Sequence, residues 1–133
     1  MSSRPVATSG PVLIVGSGLL GASLGLALRG AGVDVYLHDT SPTALRLAQD
    51  IGAGVPLSDI TAPSPSLVVV AAPPDVADLC ILDALRTFPS AIVTDVASVK
   101  SAVVDGVLTT LATAQQEGLA ARYVGSHPMA GRE

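Results

Sequence analysis

Six consecutive residues constrain this chain more than any others: Gly16, Ser17, Gly18, Leu19, Leu20 and Gly21. They follow the apolar run Val12–Val15 and lead into residues 22–29, whose composition suits a helix. Glycines at this spacing say little alone. A strand before them, a helix after them and an acid about twenty residues on, Asp39, give the pattern its meaning. The arrangement reads as a dinucleotide site. Gly16 makes a tight turn, Gly18 lets the backbone approach a pyrophosphate, and Gly21 lets the helix pack close to the strand. Pyrophosphate oxygens then meet unpaired N–H groups at the positive end of the helix dipole. The competing reading is a glycine-rich turn in an ordinary α/β protein.

The rest of the chain alternates in the same way. Strands are expected at 12–15, 33–38, 55–57, 67–72, 91–95 and 122–125. Helices are expected up to Gly30, from Pro42 to about Gly52, at 75–86 and at 98–115. Gly30 and Gly32 stop the first helix, and Ser41 with Pro42 starts the second as cap and first residue. Strands joined through helices form a parallel sheet with right-handed crossovers. The expected fold class is therefore α/β, a Rossmann-type doubly wound parallel sheet in a single domain. Residues 1–11 read as a flexible tail and 12–133 as the domain. Hydrophobic residues make up 49% of the 133, with one Phe, two Tyr and no Trp, so the core must be aliphatic. The net charge of −4 argues against nucleic acid or an anionic membrane as partner. No apolar run approaches the ~18 residues of a membrane span, and no secretory signal pattern is visible. One cysteine excludes an internal disulfide and fits a reducing, cytoplasmic compartment.

In such a sheet ligands bind beyond the carboxyl ends of the strands. There the chain places the glycine loop, then Asp39 and Thr40, then Ala72 and Pro73, then Ser98 and Lys100, then His127. Asp39 is placed to accept hydrogen bonds from ribose hydroxyls, and its charge repels a 2′-phosphate, which favours NAD over NADP. It can equally be an acid at the start of the next helix, and Thr40, Ser41 and Arg46 offer phosphate partners. His127 titrates in the right range for a general base, although spacing alone shows it no partner. Ser98 can orient His127 or simply cap a helix. Lys100 reads as a solvated first-turn residue, His38 as structural, Cys80 as a small core residue, and Asp95 as an acceptor for backbone N–H groups with no catalytic part. Two distant histidines and one cysteine give no metal spacing.

The ending Gly125, Ser126, His127, Pro128, Met129, Ala130, Gly131, Arg132 and Glu133 resembles the G-S-H-P-[MI]-A-G-x-E signature of prephenate dehydrogenases. Asp95, Val96, Ala97, Ser98, Val99 and Lys100 resemble the same family's D-x-x-S-V-K stretch, and the glycine loop its nucleotide fingerprint. The resemblance spans about residues 12–133. It implies an NAD-dependent oxidative decarboxylation of prephenate to 4-hydroxyphenylpyruvate, on the route to tyrosine. It further implies that His127 takes the ring-hydroxyl proton, that Ser98 hydrogen-bonds that hydroxyl and the histidine, and that Ser126 and Glu133 belong to the substrate pocket. Family members continue into a helical domain that forms a homodimer and binds the substrate carboxylates. This chain is accordingly expected to be the cofactor-binding part, inactive alone. Arogenate is the variant substrate. Another small Rossmann reductase and a non-catalytic NAD-binding module are the rival readings.

Overall fold

Short apolar runs become central strands here because both of their faces find cover. The computed structural model describes residues 10–57, 64–97 and 100–126. Six strands make one sheet: β1 (Val12–Val15), β2 (Val35–His38), β3 (Val55–Pro56), β4 (Leu67–Val70), β5 (Ile92–Asp95) and β6 (Tyr123–Gly125). Their order is β3-β2-β1-β4-β5-β6, and every neighbouring pair is parallel. The helices are α1 (Leu19–Gly30), α2 (Pro42–Asp50), α3 (Pro74–Thr87) and α4 (Lys100–Thr113), and a 3-10 turn (Glu117–Arg122) leads into β6.

Alternate residues of each strand enter different cores. Val12, Ile14, Val35, Leu37 and Val69 pack with Ala22 of α1 and Ala48 of α2. Leu13, Val68, Val70 and Val93 pack with Ile81 and Leu85 of α3 and with Val103, Val107 and Leu111 of α4. Helices thus cover both faces, and the doubly wound parallel sheet expected from the alternation is the one observed. The order in which strands are added reverses between β1 and β4, all strands staying parallel, and folds of this kind bind ligands at the carboxyl edge of that switch point. No helix among the described residues is long and apolar enough to cross a membrane.

The helices end in different ways. At α1 the amide of Gly32 bonds the Arg29 carbonyl at 3.0 Å and that of Val33 bonds Leu28 at 3.0 Å, with Gly32 at φ 86°. At α2, Gly52 at φ 90° bonds Gln49 at 3.0 Å and Ala53 bonds Ala48 at 2.9 Å. Both are Schellman closures on a left-handed glycine. The same pair of bonds closes α4, from Gln115 to Ala112 at 3.1 Å and from Gln116 to Leu111 at 2.7 Å, but Gln115 carries the positive φ of 57°. The end of α3 lacks a glycine. Its Leu85 carbonyl, with those of Phe88 and Ala91 just beyond, accepts from the Arg122 guanidinium at 2.6, 2.9 and 2.9 Å.

These closures explain where the elements differ from the sequence-based bounds. β2 starts at Val35 rather than 33, because the Val33 amide is spent on α1. α4 stops at Thr113 rather than 115, because Gln115 turns left-handed. β6 starts at Tyr123 rather than 122, because Arg122 ends the unforeseen 3-10 turn. β4 stops at Val70 although the apolar run continues to Ala72: the Ala71 amide still bonds Val15, but β1 has turned away at Gly16. Residues 10 and 11, assigned to the tail, are described, and the Pro11 carbonyl accepts from the Ser66 amide at 2.9 Å.

Candidate functional site

The sheet ladder runs one residue past β1, β4, β5 and β6 along the carboxyl edge. Gly16 N donates to the His38 carbonyl at 2.8 Å, Ala71 N to Val15 at 2.7 Å, Val96 N to Val70 at 3.1 Å and Ser126 N to Asp95 at 3.1 Å. Four connections that lie far apart in sequence are thereby aligned on one edge. They carry the glycine loop, Ala72 with Pro73, the segment leading to residue 98 and the segment leading to residue 127. Ser98, His127 and Glu133, together with the rest of the ending after Ser126, lie outside the described residues.

The glycine loop is held by backbone contact. Gly16 has φ 98°, and a Cβ there would lie 2.7 Å from the Ala71 carbonyl carbon and 2.8 Å from Ala72 N. A Cβ on Gly21 would lie 1.9 Å from the Gly16 carbonyl oxygen. A Cβ on Gly18 would meet nothing within 4 Å, so that side of the loop is open. Gly18 is also the N-cap of α1, and no side chain caps the helix and no acid occupies its first turn. Its leading amides and dipole are therefore available to an anion that approaches over Gly18. Leu19 and Leu20 are exposed beside it. A groove of about 270 Å³ runs from Ser17, Gly18 and Leu19 to Ala44, Leu47 and Ile51 of the α2 region.

Asp39 caps this arrangement. Its Oδ2 accepts from Ser17 N at 2.7 Å and from Ser17 Oγ at 2.9 Å, and its Oδ1 accepts from Ser41 N at 2.8 Å. Burial pushes its carboxyl up, but the Ser17 and Ser41 amides, the Ser17 hydroxyl and the neighbouring His38 outweigh that and hold it below its ordinary value. Asp39 thus lies beside the glycine loop and also bonds the start of α2. Ser41 caps α2 as expected, accepting from Ala44 N at 3.2 Å. Thr40 is exposed on the rim. The bond from Ser17 to Asp39 was not legible in the sequence; a serine between the first two glycines was the only signal.

At the other end of the edge, Asp95 is fully buried. Its Oδ2 accepts from Ala97 N at 3.0 Å, the backbone-acceptor role expected of it, and its Oδ1 accepts from the Tyr123 hydroxyl at 2.7 Å. Burial, that hydrogen bond and the Asp95 charge push the Tyr123 phenol well above its ordinary value. Ser126 Oγ donates to the Asp95 carbonyl at 2.6 Å and lies 3.0 Å from Thr94 Oγ1, which also donates to the Val124 carbonyl. The ends of β5 and β6 are tied together where they leave the sheet.

Cys80 packs against the core as expected of it but is half-buried: it lines an apolar cavity of about 320 Å³ with Leu13, Val15, Leu57 and Val76. Burial and the charges of Asp83 and Asp78 push its thiol up. His38 is exposed and lines the same cavity; its structural service is its main-chain carbonyl. Among the described residues no group of three or more His, Cys, Asp or Glu can hold a metal.

Strand order, the glycine turn, an open helix N-terminus and an acid at the end of β2 define the class of the protein: a Rossmann-type nucleotide-binding domain. Sequence comparison narrows it. Residues 24–133 match the family model described as prephenate dehydrogenase, nucleotide-binding domain, and the chain belongs to that family. The chain is 40% identical over 127 residues to the probable prephenate dehydrogenase NovF of Streptomyces niveus, covering 90% of this chain and 31% of that protein. Among solved structures it is similar to the Aquifex aeolicus prephenate dehydrogenase in complex with hydroxyphenyl propionate and NAD+, at TM-score 0.72 and 29% identity over 92% of this chain and 42% of that one. It is also similar to Synechocystis arogenate dehydrogenase, at TM-score 0.69 and 27% identity over 91% of this chain and 41% of that one. The chain thus spans about a third of the curated relative and under half of either solved structure.

Proposed function

We propose that the chain is the cofactor-binding part of an NAD-dependent prephenate dehydrogenase, with residues 12–133 as its nucleotide domain. The observation that carries this is the coincidence of the family match with an open glycine loop beside a charged Asp39. The residues fit a dinucleotide. The α1 amides behind Gly18 receive the pyrophosphate, Asp39 accepts from the adenosine ribose, and Ala72 and Pro73 border the crevice from β4. Bound NAD supplies the hydride acceptor. The same carboxylate disfavours a 2′-phosphate by like-charge repulsion.

The reaction assignment rests on the ending. His127 is read as the base that takes the substrate hydroxyl proton, Ser98 as the group that orients hydroxyl and imidazole, and Ser126 and Glu133 as pocket residues. The carboxyl-edge ladder supports this, because it brings the segments leading to residues 98 and 127 to the same edge of the sheet as the glycine loop, two and three strands along. Loss of CO₂ restores an aromatic ring, so positioning and proton removal are what the protein must add.

Arogenate is the second reading, favoured by the likeness to the Synechocystis enzyme. The test is NADH formation by the purified protein, at the full length its gene encodes, with prephenate and arogenate in parallel. Prephenate is expected to be the better substrate. His127→Ala should lower kcat about a hundredfold or more while NAD affinity holds. No NADH from either substrate would overturn the proposal, and a preference for arogenate would select the second reading.

A further inference from the structure

Asp39 is gripped from the glycine loop after β1 as well as from the start of α2. One residue, Ser17, places two donors on one carboxylate oxygen, at 2.7 and 2.9 Å on Oδ2, while Ser41 N takes a single position on Oδ1 at 2.8 Å. An ionised carboxylate offers about four acceptor positions. Among the described residues, Oδ2 is saturated and Oδ1 keeps one position. Ser17 itself has little freedom. It is 4% exposed, and its neighbour Gly16 is wedged against Ala71 and Ala72. A buried hydroxyl without an acceptor is costly, so the Ser17 side chain and the Asp39 carboxylate hold each other in one orientation.

Resting on the NAD reading above, we infer that Ser17 is a positioning residue for the adenosine end of the cofactor. Its hydroxyl fixes the Asp39 carboxylate with Oδ2 on the glycine loop and Oδ1 left for a ribose hydroxyl, and so sharpens the preference for a free 2′-hydroxyl. Ser17 therefore acts through Asp39, whereas the glycines around it act through the backbone. The same donors keep Asp39 ionised further into acid, as its lowered carboxyl range shows.

A double-mutant cycle separates this role from a general effect on the loop. NAD and NADP are titrated by calorimetry into the unmodified chain, Ser17→Ala, Asp39→Ala and the double variant. Ser17→Ala is expected to weaken NAD about fivefold to tenfold when Asp39 is present, the scale of one ordinary hydrogen bond, because Ser17 N still holds the carboxylate. It should change NAD binding less than about twofold in the Asp39→Ala background, and it should lower the NAD-to-NADP preference. Carbon-13 NMR titration of the Asp39 carboxyl, without any nucleotide, should show its pKa rising in Ser17→Ala. Equal losses of NAD affinity in both backgrounds, or an Asp39 titration indifferent to the hydroxyl, would overturn the inference. Failure of the unmodified chain to bind NAD would overturn the proposed function instead, and the carboxyl titration still decides whether Ser17 holds Asp39.

Discussion

The two halves of the sheet are built by different means. From β1 to β3 the turns are made by residues in the turns themselves. Gly16 opens the loop, Gly32 and Gly52 close α1 and α2 with left-handed caps, and Ser41 and Pro42 start α2. From β4 to β6 α4 still closes on its own Gln115, but the end of α3 and the end of β5 depend on side chains from far along the chain. Arg122 closes α3 from 37 residues away, and Tyr123 reaches back 28 residues to Asp95. The first half is conformationally prepared for a ligand that binds through backbone. The second half is stitched together late, by Arg122 just before β5 begins and by the bonds of Tyr123 and Ser126 to Asp95 where β5 ends. One half is thus sensitive to added atoms and the other to lost hydrogen bonds.

That contrast can be broken in order of size. Gly21→Ala should be the most damaging change, because its Cβ would lie 1.9 Å from the Gly16 carbonyl oxygen, which is backbone and cannot swing aside. A loss of about 3 kcal/mol is expected, read from the urea midpoint. Arg122→Ala should cost about 2 kcal/mol, since carbonyls at the end of α3 lose a charged donor. Arg122→Lys should recover little of it, because an ammonium lacks the planar fork that spans Leu85, Phe88 and Ala91. If Lys restored full stability, the guanidinium would not be the closure of α3. Gln115→Gly should go the other way and stabilise by about 1 kcal/mol, because φ 57° suits glycine better than glutamine. A neutral or negative result in thermal melts would mean that Gln115 earns its place through its side chain.

The smallest effects separate the halves by pH, since Asp39 and Tyr123 are both partly exposed and water screens their interactions. Asp39 is held below its ordinary value, so its contribution is present above the unfolded carboxylate range and fades as pH falls below about 4. Tyr123 is held above its ordinary value, so its contribution is complete below the unfolded tyrosine range and fades as pH rises past about 10. Ser17→Ala should blunt only the acid limb of a stability curve and Tyr123→Phe only the alkaline limb. A variant that moved both limbs would show the halves to be coupled.

Much of the first half was legible residue by residue. The glycine spacing, the Ser41 cap, Pro42 and the stops at Gly32 and Gly52 are local signals, each readable within a few residues. The end of α4 was overrun because its left-handed residue is a glutamine, and the start of β6 because nothing near Arg122 announces that its partners are carbonyls of α3. Ser98, His127 and Glu133 remain readings of the sequence motif, joined to the structure only through the segments that lead to them.

The sequence by itself determined the element order, the parallel class of the sheet, the glycine loop and the acid beside it, because those depend on backbone freedom and on periods of two and 3.6 residues. Only the tertiary structure decided that Ser17 grips Asp39, that Tyr123 reaches the buried Asp95, and that Arg122 closes α3. Those pairings join residues between 22 and 37 positions apart. They exist only after parallel strands have set their register, and no local pattern records which donor will arrive opposite which acceptor.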